Sequence, residues 1–61
     1  MPLESDFKQL EEAHRRMIVA YAGLTDKKVK SRAPELRKAL MDITVIAKEM
    51  RKSTQIYKDR L

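Results

Sequence analysis

The chain has 61 residues, 38% of them charged, with a net charge of +5, enough for one domain at most and marginal for a lone core without staples. The absence of cysteine excludes disulfides and thiolate metal sites and is compatible with a reducing cytoplasm, and one histidine cannot build a metal centre. Pro2 and Glu4 stand where a secretory leader would carry basic and then apolar residues, and the longest apolar run, Met17 to Ala22, is too short to cross a bilayer.

A first helix is predicted from Leu3, Phe7, Leu10, His14, Met17, Tyr21 and Leu24, which alternate at spacings of four and three. Ala13, Ile18 and Ala20 broaden that seam. Ser5 or Asp6 is the expected cap, with Gln9 placed as in a capping box, and the acidic residues of the first turns suit the positive end of the helix dipole. Gly23 sits where a left-handed residue closing the helix is expected, with Leu24 as its hydrophobic contact.

A second, longer helix is predicted from Val29, Ala33, Leu36, Leu40, Ile43, Ala47, Met50, Thr54, Tyr57 and Leu61, with Thr25 or Asp26 as its cap. The two seams differ in phase, so the chain turns near Gly23. Pro34 fits the first turn of a helix but would kink one begun at Asp26. The expectation is either a turn of helix over residues 26–32 followed by the main helix, or one bent helix.

A first helix of about 18 residues spans roughly 27 Å, whereas residues 34–60 would span roughly 40 Å. Folded back, the first helix covers the second only to about Ile46, leaving Ala47, Met50, Ile56, Tyr57 and Leu61 without an intramolecular partner. The reading is therefore a single all-α helical hairpin over residues 1–61, with a short first and a long second helix. Ile46, Ala47, Met50, Tyr57 and Leu61 are its expected oligomer interface, in a dimeric helical bundle.

No catalytic constellation is visible, so neither enzyme activity, a small-molecule substrate, a cofactor nor a membrane is expected. His14, Tyr21 and Tyr57 fall on the seams and read as core or interface residues, and Met1, Met17, Met41 and Met50 as packing residues. Charge is unevenly spread. Residues 1–12 carry four acidic groups against Lys8, and the remainder thirteen basic against five acidic. Lys27, Lys28, Lys30, Arg32, Arg37 and Lys38 form the densest cluster. Lys30, Arg37, Arg51 and Lys58 share one heptad position with Thr44, Lys38 and Lys52 share its neighbour, and Glu35, Asp42 and Glu49 share a third. Charge is thus sorted by sign around the second helix. A straight basic stripe can meet a duplex backbone repeatedly, and nothing in it is suited to reading bases. The candidate nucleic-acid contacts are Lys27, Lys28, Lys30, Arg32, Arg37, Lys38, Arg51, Lys52 and Lys58.

The stretch KKVKSRAPELRKALMDITVIAKEMRKSTQIYK, residues 27–58, resembles the small bacterial linker-histone-like nucleoid proteins. The residues carrying the resemblance are Lys30, Leu36, Arg37, Lys38, Ala39, Asp42, Ile43, Ala47, Glu49, Arg51 and Lys52, with a looser match through Phe7, Lys8 and Leu10. Glu35 and Pro34 depart from the pattern. The resemblance implies a cytoplasmic, nucleoid-associated protein binding duplex DNA. The alternative left open by the residues is a structural module that forms a homo-oligomeric bundle or binds a partner helix, with no nucleic-acid role.

Overall fold

Two helices account for most of the chain. The computed structural model describes residues 2–61, in which α1 runs Pro2–Thr25 and α2 Arg32–Asp59; Met1 lies outside the described residues. The helices pack antiparallel as a hairpin, with Cα extents of 47 × 13 × 12 Å. The radius of gyration, 14.3 Å, exceeds the ~10.5 Å of a rounded domain of this length.

The first helix is longer than its periodicity predicted. It begins at Pro2, whose fixed φ and missing N–H suit a first turn, so neither Ser5 nor Asp6 is a cap. Ser5 lies inside the helix and accepts from Gln9 Nε2 at 3.5 Å. Asp6 turns toward α2, where its Oδ2 accepts from the Ser53 hydroxyl at 2.5 Å. Arg16 donates to Asp42 across the same interface at 3.0 Å. These two contacts fix the register. Leu3, Asp6, Leu10, Ala13, Met17 and Ala20 face Tyr57, Ser53, Met50, Ile46, Ile43 and Ala39 in antiparallel order, with Leu36 completing the line near the loop.

Helix lengths are thus nearly matched, 24 and 28 residues, and the expected overhang beyond Ile46 does not exist. Ile46 and Met50 are half-buried in the seam of the hairpin itself, and Tyr57 shares a groove with Pro2 and Leu3. The seam is made of small residues: Ala13, Ala20, Gly23 and Ala39 are the buried positions among the described residues. Half of each expected seam faces elsewhere. Phe7, Tyr21 and Leu40 remain 49%, 59% and 45% exposed, and His14, Ala47, Thr54 and Leu61 are exposed beside them.

The turn also departs from expectation. Gly23 is helical, without a positive φ, and α1 continues to Thr25. Its role is steric, because a Cβ there would stand 2.8 Å from Arg32 Cγ. The left-handed position is Lys28, at φ 56°. Residues 26–31 are not a turn of helix; they are tied by Val29 N–H to Gly23 O at 2.9 Å and by Arg32 N–H to Val29 O at 3.1 Å. Pro34 lies in the first turn of α2, behind the N-cap Ser31, and needs no kink. A left-handed conformation strains any residue with a Cβ. Lys28→Gly is therefore expected to stabilise the hairpin by up to about 1 kcal/mol, raising the melting temperature by roughly 4–8 °C. Thermal denaturation followed by circular dichroism checks this, and a lowered melting temperature would contradict it.

Candidate nucleic-acid interface

Antiparallel packing brings like flanks of the two helices together, so the hairpin has two distinct sides. Arg16 and Asp42 each stand one residue before a seam residue, and their 3.0 Å ion pair marks the first side. Cations there are matched by acids. Arg15 and Arg16 approach Glu12 at 3.1 and 3.8 Å, Arg32 holds Glu35 at 2.6 Å, and Lys38 lies 3.8 Å from Asp42. Lys52 is likewise 3.8 Å from Glu49. Such exposed pairs contribute little stability, but they locally cancel the field a polyanion would feel. Three of the nine sequence-predicted contacts, Arg32, Lys38 and Lys52, are therefore compensated within the chain.

The other six are not. Lys27, Lys28 and Lys30 project from the connecting loop, and Arg37, Arg51 and Lys58 from the outer surface of α2. All are exposed, and none has a carboxylate within 4.0 Å among the described residues. Lys48, which sequence reasoning passed over, belongs with them: it is exposed and unpaired. Its signal was the alternation Arg37, Met41, Thr44, Lys48, Arg51, Gln55 and Lys58, again at four and three, a line with no acidic member. The glutamates and aspartate at 35, 42 and 49 are turned to the opposite side. From Arg37 to Lys58 the line runs roughly 31 Å along the helix, and the loop lysines extend it at one end.

The arrangement is electrostatic. Among the described residues no three of His, Cys, Asp and Glu are grouped to hold a metal ion, and no helix is long and apolar enough to cross a membrane. His14 is exposed on a helix flank rather than seated in a core. Comparison with family models, curated proteins and solved structures gives no match to the chain.

Proposed function

We propose that the protein binds the phosphate backbone of duplex DNA in a sequence-tolerant way, as a nucleoid-associated protein would. The observation that carries this reading is the segregation of uncompensated cations: Arg37, Lys48, Arg51 and Lys58 lie on one acid-free line of α2 and Lys27, Lys28 and Lys30 in the loop before it, while cations elsewhere among the described residues are largely matched by carboxylates. A line of that length meets phosphates repeatedly on a duplex carrying one charge per ~1.7 Å of axis. The resemblance of residues 27–58 to linker-histone-like proteins points the same way.

Titrating duplex DNA at a series of salt concentrations tests the proposal. Four to six phosphate contacts give a log–log slope of about −4 to −5. Replacing Lys27, Lys28, Lys30 and Arg37 by Gln is expected to flatten the slope by about 3 to 4 and to weaken all sequences alike, because phosphate contacts position without specifying. Helicity should be unchanged. Absence of binding by the wild type at low salt, where counterion release favours it most, would overturn the reading. A structural module would then be the better one, and the exposed apolar side chains of the hairpin favour that alternative.

A further inference from the structure

The second side of the hairpin has no partner among the described residues. Phe7, His14 and Tyr21 stand on α1, each four residues after a seam residue, and Leu40, Ala47 and Thr54 do the same on α2. All are exposed, and they lie on the side opposite the Arg16–Asp42 pair. Thr54 turns its hydroxyl to its own helix, donating to Met50 O at 2.7 Å, which leaves its methyl group for the face. The chain exposes 5059 Å², about 1,000 Å² more than the ~4,100 Å² that its mass predicts for a folded monomer. That excess is close to the ~800 Å² per partner of a standard stable interface.

We infer that this face is covered by a second copy of the chain, related by a twofold axis parallel to the helices, so that α1 of each hairpin lies against α2 of its mate and both loops emerge at one end. Size and charge select this arrangement. An axis along the helices keeps each residue at its own level, and the register of the hairpin then sets the opposing residues. Phe7 falls opposite Thr54 of the mate, His14 opposite Ala47, and Tyr21 opposite Leu40, so each large α1 ring meets a residue no larger than Leu. At the outer edge Glu4 falls opposite Lys58, Glu11 opposite Arg51, and Ile18 opposite Thr44, joining opposite charges at the ends and apolar atoms between. Among the described residues Glu11 and Arg51 have no ion-pair partner within their own chain.

The competing twofold, perpendicular to the helices, sets α1 on α1 and α2 on α2. It opposes Phe7 to Tyr21 and His14 to His14 on one half, and Ala47 to Ala47 on the other, so one pair of helices is held apart where the other must close. It also brings Arg37 toward Lys58 of the mate. The parallel axis instead gathers Lys27, Lys28 and Lys30 of two chains at one end of a four-helix bundle, exposed and screened within about 10 Å by salt. The dimer spends Arg51 and Lys58 on carboxylates of the mate and leaves Lys27, Lys28, Lys30, Arg37 and Lys48 of each chain facing solvent for phosphate; neither the face nor its pairing depends on DNA binding, and the test needs none.

Sedimentation equilibrium on the full chain distinguishes these cases. The wild type is expected as a dimer at micromolar concentration, and Leu40→Glu as a monomer of unchanged helical content at the same concentration. Glu11→Arg and Arg51→Glu each set two like-charge pairs across the interface and should each weaken the dimer about tenfold. The swap Glu11→Arg/Arg51→Glu should restore it to within about threefold of the wild type. A wild-type monomer, an assembly other than a dimer, or a dimer indifferent to Leu40→Glu would overturn the proposal. So would a swap that fails to restore association, or Lys58→Glu tightening the dimer, which the perpendicular axis requires and the parallel axis, setting Lys58 against Glu4, forbids.

Discussion

Met50→Asp is expected to remove the cooperative unfolding transition of the hairpin at neutral pH. Met50 is half-buried in the seam between the helices, level with Leu10 of α1. The substitution strips thioether packing from a seam whose fully buried members are alanines and a glycine. It also places a carboxylate one turn from Asp6, whose own charge already points across the interface to Ser53. Loss of the apolar side chain together with the desolvated charge costs about 2–4 kcal/mol. A single core in a domain this small rarely supplies more than about 3–5 kcal/mol, so the variant should show shallow, non-cooperative loss of helix on heating. Met50→Leu conserves volume and should lie within about 1.5 kcal/mol of the wild type. A Met50→Asp chain melting cooperatively near the wild-type temperature would show that Met50 is not a seam residue.

Much of this hairpin was legible in the sequence, and the errors share one cause. The turn region, the presence of two helices, and the placement of Leu3, Leu10, Met17, Leu36 and Ile43 toward the partner follow from spacing alone, whereas Met50 and Tyr57, expected in an overhang, lie along the hairpin because α1 starts earlier and ends later than its periodicity implies. The second line of each seam did not follow. The spacing puts Phe7, His14 and Tyr21 on the seam with Ala13 and Ala20 only broadening it, and leaves Asp6 to the cap. Two helices in close contact instead select small residues, since axes separate by 8–10 Å according to what lies between them. Each apolar arc is wider than one neighbour needs, and periodicity does not say which edge goes to which neighbour.

The start of α1 was misplaced for a related reason. Asp6 reads as a cap by type, but its oxygen is used across the interface, 47 residues away in sequence, where no local pattern reports it. Gly23 reads as a helix stop, yet the space it frees is filled by the Arg32 side chain, and Lys28 takes the left-handed conformation instead. The sorting of charge around α2 was readable from its heptad positions. The pairs that spend Arg32, Lys38 and Lys52 were readable too, since Glu35, Asp42 and Glu49 stand three or four residues away on the same helix; only the Arg16–Asp42 bridge is a product of the fold.

Ala13→Leu is expected to destabilise the hairpin although it adds apolar surface and leaves helix propensity almost unchanged. Ala13 is 0% and Ala39 1% exposed, so neither position has room for three more carbons unless the helices move apart. Separation would stretch the Arg16–Asp42 and Ser53–Asp6 contacts, at 3.0 and 2.5 Å, and would open the alanine seam on both sides of the insertion. Overpacking of this kind costs about 1–3 kcal/mol, which in a domain of this length lowers the melting temperature by roughly 4–8 °C per kcal/mol. Ala47→Leu adds the same carbons on the exposed flank and should leave the unfolding midpoint of the isolated hairpin nearly unchanged. Urea denaturation followed by helical circular dichroism compares the two directly, with a shifted midpoint at constant slope marking a change in stability alone. If Ala13→Leu raised the midpoint and Ala47→Leu lowered it, the helices would be packed on the Phe7, His14 and Tyr21 side after all. The small-residue seam, and with it the free apolar face, would have to be abandoned.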